Sequence, residues 1–145
     1  MPPTVYAHRQ IGWLTAGPVT VVLGIVVWQL FLAGRTTPAL LCLALLLVLV
    51  SLFGSLAVSV DRTALRLRFG VGLIRRTVPI RTIRSCRVLQ TRWFYGWGIR
   101  YTPRGWLWNV AGLEAVELDL ENGSHFTVGT DDADSLARAL ARARS

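Results

Sequence analysis

The chain has 145 residues, 52% of them hydrophobic, and a formal net charge of +8. An oily and basic composition of this kind argues against one ordinary soluble domain. Of the two cysteines, Cys42 and Cys86, neither has a CxxC or histidine partner at metal spacing, which excludes a disulfide framework and a sequence-coded metal site.

Residues 1–10 read as a short polar tail. From Ile11 to Leu32 run 22 residues without a charge, and from Ala39 to Val58 another 20. Each is long enough to cross a hydrocarbon core at about 1.5 Å per residue. A signal peptide has a shorter apolar region, and a soluble core helix is amphipathic, whereas Leu40 to Val50 is apolar all round. The sequence therefore predicts a transmembrane hairpin over 11–58, with spans at 11–32 and 39–58. The connector from Ala33 to Pro38 is too short to fold, so the spans are antiparallel and both chain ends lie on one side. Arg35 alone marks the connector, against Arg9 before the hairpin and Arg62, Arg66 and Arg68 after it. By the positive-inside rule both termini are expected in the cytoplasm, with the chain multi-pass in the inner or plasma membrane. Trp13 and Trp28 stand near the span ends as interface anchors, and Gly17 and Gly24 allow close approach of the second helix.

Residues 60–145 suffice for one small domain, and their pattern is mostly period two. Leu65, Leu67 and Phe69 fall on one face and Arg66 and Arg68 on the other, as in a half-buried strand. The turn Gly70-Val71-Gly72 follows, then segments over Leu73–Ile80 and Thr82–Gln90. The economical arrangement is a three-stranded meander, with Pro79 at a strand end where no ladder hydrogen bond is lost.

The stretch GWGIRYTPRGWLWNV, Gly96 to Val110, bends at Pro103. Proline cannot take the positive φ of a primed hairpin turn, so a type I turn at Pro103 and Arg104 with Gly105 as a left-handed bulge residue is expected. Thr102 then pairs with Trp106, Tyr101 with Leu107 and Arg100 with Trp108. Trp97, Ile99, Tyr101 and Leu107 form a core face, while Arg100, Trp106 and Trp108 look outward, with Arg100 stacked on Trp108. That outer patch is either a binding or membrane-contact surface or one covered from within the protein.

The next hairpin, AVELDLENGSHFTVGT, has two registers. A bulge at Gly123 sets Leu118 opposite Phe126 and Val116 opposite Val128, which gives one clean core face and is preferred. His125 then faces outward beside Asp119. The last segment reads as a helix capped by Thr130 or Asp131, with acids at its start, arginines at its end, and a stripe of Ala133, Leu136, Ala137 and Leu140.

Two apolar spans before such a strand pattern and a C-terminal helix, with the segments GWGIR and GTDD, resemble bacterial pleckstrin-homology-like domain membrane proteins over Val60 to Arg144. The resemblance implies an α+β chain: the hairpin, then a seven-stranded antiparallel barrel or sandwich capped by the C-terminal helix. It also implies a non-catalytic binding module whose basic residues near the first strand-to-strand loop correspond to Arg66, Arg68, Arg75 and Arg76.

Charge is polarised along the chain. Asp61 to Arg104 hold 11 arginines against one acid, and Gly105 to Ser145 hold three against seven. Beside a membrane, each arginine held near anionic headgroups gains about 1 kcal/mol. The expected function is contact with anionic lipid at the inner leaflet through Arg66, Arg68, Arg75, Arg76 and Arg100, with Trp106 and Trp108 as anchors. The alternative is a tethered scaffold or regulatory subunit holding a membrane or cytoplasmic protein partner on the outer barrel surface; homo-oligomerisation is left open. No Ser/His/Asp or Cys/His constellation and no third glycine of a dinucleotide loop occurs, so neither an enzyme nor a cofactor is expected. Topology and anionic lipid account for the basic charge without nucleic acid.

Overall fold

A computed structural model describes residues 4–92, 98–109 and 112–145. Its described elements are nine strands, three α-helices and one short 3-10 turn, in two sheets. The first strand, β1 (Thr4–Ile11), lies where a tail was expected. Helices α1 (Trp13–Leu32) and α2 (Thr36–Phe53) follow, then β2 (Ser55–Asp61), β3 (Ala64–Phe69) and β4 (Ile74–Pro79). After the 3-10 turn Ile80–Thr82 come β5 (Ile83–Gln90), β6 (Gly98–Thr102), β7 (Gly105–Asn109), β8 (Glu114–Leu120), β9 (His125–Gly129) and α3 (Ala133–Arg144).

Helices α1 and α2 pack as a pair joined by a tight turn in which Gly34 has φ +71°. Both are uniformly apolar, and α2 has only Ala39 and Leu46 buried. Among the described residues one helix, Thr36–Phe53, is long and apolar enough to cross a membrane; Ala16–Leu32 is a shorter apolar segment. The expected second span runs too far: its helix stops at Phe53, and Ser55 to Val58 belong to β2. Gly17 and Gly24 do not serve close approach, because a Cβ at either would meet nothing within 4 Å.

The helix pair is inserted into the β-domain. β1 pairs antiparallel with β2 from Ile11↔Ser55 outward, and the Gly12 amide donates to the Gly54 carbonyl at 2.8 Å where chain enters and leaves the helices. The first sheet has the order β1-β2-β3-β4 and the second β5-β8-β9-β7-β6. The expected meander is therefore split: β3 and β4 pair, but β5 crosses to the second sheet beside β8. Among the described residues the region expected to hold seven strands does hold seven, β3 to β9, but β1 and β2 precede them, and one pairing, β7 with β9, is parallel.

Alternation on each sheet directs one face to a shared core. Leu56, Val58 and Val60 of β2 meet Leu65, Leu67 and Phe69 of β3, and Val116, Leu118, Phe126 and Val128 come from the second sheet. Helix α3 closes this core with Ala133, Leu136, Ala139 and Leu140; Ala139 is buried, and Ala137, expected in the stripe, is only partly so. The β8–β9 hairpin has the preferred register, with Leu118↔Phe126, Val116↔Val128 and Gly123 at φ +79°.

β1 is tied in by polar groups. Buried Gln10 donates Nε2 to the Gly129 carbonyl at 2.7 Å and accepts the Asp131 amide at 3.1 Å. Tyr6 donates to Asp132 at 3.3 Å, and His8 Nε2 lies 2.7 Å from Asp131. Burial and the adjacent Asp132 carboxylate push the Tyr6 phenol well above its ordinary value.

Candidate functional site

Strand register brings arginines together from separate parts of the chain. On the outer face of the first sheet, Arg9 lies opposite Ala57, Ala57 opposite Arg68, and Arg68 opposite Arg75. The row thus crosses all four strands, with a small residue at its second position and exposed arginines at the other three. Like charges directly opposite, as Arg68 and Arg75 are, destabilise a sheet. None of the three forms an ion pair among the described residues; Arg9 donates to the Ser55 hydroxyl at 3.2 Å. At a strand rise of about 3.3 Å, the row stands roughly 10 Å from the helix ends at Gly12 and Gly54. Arg9, placed by sequence in a tail, was missed because β1 turns Tyr6, His8 and Gln10 inward and so lacks an apolar alternation.

The other expected site residues scatter. Arg66 sits one row farther from the helices and pairs with Asp61 at 2.8 Å. Arg76 lies on the inward side of β4, its guanidinium 4.6 Å from the centre of the Phe126 ring. Arg100 is exposed on β6, in the other sheet.

The tryptophan patch is corrected by one residue of register. Pro103 and Arg104 alone form the loop, and Gly105 pairs with Thr102 instead of bulging out, so Tyr101 faces Trp106, Arg100 faces Leu107 and Ile99 faces Trp108. The Thr102 hydroxyl holds this tighter turn, donating to the Gly105 carbonyl at 2.9 Å and accepting the Arg104 amide at 3.3 Å. A slip of one residue exchanges faces. Trp108 is therefore 6% exposed, packed between Phe69 and Phe126, and its indole N–H is buried without a partner. Arg100 does not stack on it. Tyr101, expected in the core, is 73% exposed and meets half-exposed Trp106 edge-on. Leu107 is buried, though on the face opposite Ile99, which does pack on the core. Trp97 lies outside the described residues.

Asp61 holds the β2–β3 turn. Its Oδ1 accepts the Thr63 amide at 2.7 Å, the Thr63 hydroxyl at 2.5 Å and the Ala64 amide at 2.8 Å. The hydroxyl, followed by these amides and Arg66, outweighs burial and holds the carboxyl below its ordinary range. A carboxylate with a lowered folded pKa adds stability above its unfolded value, and that stability is lost as pH falls through the folded value. Asp61→Ala should cost about 2 to 4 kcal/mol at neutral pH in denaturant titrations of the detergent-solubilised chain, with the gap narrowing in acid. An unchanged midpoint at neutral pH would show that the carboxylate does not hold the turn.

On the outer face of the second sheet, Glu117, Asp119 and His125 bring ligand atoms within 4.8 Å of one another. Protein groups already engage all three: Arg87 donates Nε to Glu117 Oε1 at 2.9 Å with a terminal nitrogen also 2.9 Å away, Ser85 donates to Asp119 at 2.5 Å, and His125 Nδ1 lies 2.6 Å from Asp119. The Ser85 hydroxyl, then His125, lowers the Asp119 pKa.

No family model, curated protein or solved structure matches this chain.

A cavity of about 700 Å³ lies at the end of the β-domain away from α1 and α2. Ala64, Ile80 and Ile83 floor it, and Arg62, Arg81 and Arg144 line it with no acidic residue. Arg144 donates to the Arg84 carbonyl across its rim.

Proposed function

We propose that the chain is a membrane-anchored, non-catalytic β-domain that contacts anionic lipid headgroups through Arg9, Arg68 and Arg75. The row of arginines about 10 Å from the helix ends is the observation that carries this reading. In this reading α1 and α2 cross the inner membrane together, and both chain ends lie in the cytoplasm. Support comes from exposure: Val21, Val22, Phe31, Leu40, Leu41 and Leu47 are each at least 60% exposed. So much bare apolar side chain on two packed helices calls for lipid around them. Helix α2, 18 residues long, spans about 27 Å, close to the thickness of a hydrocarbon core. Its end then lies at the headgroup boundary, and the arginine row stands within about one Debye length of the surface. Two mutually repelling arginines held side by side gain most where phosphates neutralise both.

The test uses the full chain in vesicles containing spin-labelled lipids, comparing anionic with zwitterionic label. Each arginine replaced by glutamine in the row should lower the anionic preference by about fivefold at low salt. Equal preference for the two lipids in the native chain would remove the reading.

A tethered scaffold is the second reading, and the distal cavity favours it: three arginines around an apolar floor suit an acidic segment of a partner protein. It takes first place if the native chain shows no lipid preference and Arg62→Glu/Arg81→Glu abolishes a defined crosslink in native membranes.

A further inference from the structure

We infer that the turn between β3 and β4 inserts Val71 and Leu73 into the membrane as a third point of attachment, an inference that rests on α2 crossing the bilayer. The two side chains are 69% and 73% exposed, on a turn where a soluble surface would carry polar residues. Their height relative to the helices is fixed by hydrogen bonds. The Gly70 amide donates to the Ser55 carbonyl at 2.7 Å, and the Val71 amide donates to the Ser51 carbonyl at 3.1 Å.

Ser51 belongs to the last turn of α2, whose carbonyls have no partner within the helix. Leaving such a carbonyl bare at the edge of hydrocarbon is costly. The turn satisfies it, and so places Val71 level with the last turn of the helix. Phe53 of α2 meets Phe69 of β3 with ring centres 6.1 Å apart, so the turn and the helix end are joined by side chains as well as backbone. Trp13, 74% exposed at the start of α1, stands at the same end of the helix pair. Below the tip come Arg68 and Arg75, directly opposite each other on the strands that lead into and out of it. Two apolar residues at the level of the acyl chains and two arginines at the level of the phosphates form one continuous element suited to a lipid surface. A protein partner is the competing occupant, but α2 itself runs past the tip, so in the membrane reading lipid already surrounds this height.

An environment-sensitive fluorescent amino acid is placed singly at position 71, 73, 47 or 77 of the full chain, in phosphatidylcholine vesicles carrying doxyl quenchers near the headgroup or near the chain end. Positions 71 and 73 should emit blue-shifted light quenched most by the shallow quencher. Position 47, nearly two turns inside the Phe53 end of α2, should be quenched most by the deep one, and Thr77, farther along β4, by neither. Water-like emission at 71 and 73 with position 47 quenched would overturn the inference and leave the membrane reading standing. An unquenched position 47 would overturn both.

Discussion

A fragment beginning at Val60 will remain unfolded, whereas a chain in which residues 13–53 are replaced by Asn-Gly will fold as a soluble β-domain. The fragment lacks β1 and most of β2, including Leu56 and Val58, both buried to within 2% in the core. Each buried aliphatic side chain contributes about 1.5 to 3 kcal/mol, and a small domain has only about 5 to 15 kcal/mol in total. Loss of β1 also removes the Gln10 and Tyr6 bonds that tie the first sheet to the corner before α3. The replacement keeps all of these. Gly12 and Gly54 are already joined by a hydrogen bond, so a two-residue turn continues the antiparallel ladder from Ile11↔Ser55. Circular dichroism with urea titration should show a cooperative transition for the joined chain and none for the fragment. Cooperative unfolding of the fragment would mean that β1 and β2 are accessory to the domain.

The second large effect is expected at Gly70. Its φ of +50° lies in the left-handed region, and a Cβ there would run into the Ser51 and Leu52 carbonyl oxygens of α2. Gly70→Ala therefore combines backbone strain with a clash against backbone that cannot move without unwinding the helix end. The cost should be about 3 kcal/mol or more. It should appear as loss of exchange protection at the Val71 amide, which would no longer reach Ser51, and as a lower melting temperature in detergent. Gly123→Ala is the control: φ is again positive at +79°, but a Cβ would meet nothing within 4 Å, so only the strain is paid. Equal effects of the two substitutions would show that contact with α2 does not matter.

Local patterns carried most of what was legible in the sequence. Leu65, Leu67 and Phe69 alternate with arginines, and the hairpin at Gly123 has only one register with a clean core face, so both were readable without tertiary information. β2 was hidden because Ser55 to Val58 continue an apolar run, and composition alone does not distinguish the end of a membrane helix from a buried strand. The turn at Pro103 failed for a different reason. Its proline excluded one class of turn, but whether Gly105 bulges or pairs depended on β7 lying parallel beside β9, where Gly105 packs on the His125 carbonyl. The arginine row was half legible: Arg68 was visible as an outward residue, but its alignment with Arg75 and Arg9 exists only in the register of four strands.

The position of the helix pair between β1 and β2 also sets an order of assembly. During synthesis β1 leaves the ribosome before α1 and α2, and its partner strand β2 appears only after both helices have been made. At about 5 to 20 residues per second, β1 waits for several seconds with no neighbour to pair with. Its inward residues Tyr6, His8 and Gln10 suit that wait, since a polar strand is slow to aggregate. The sheet is thus completed only after both helices have been made, so the pairing of β1 with β2 closes over a finished helix pair.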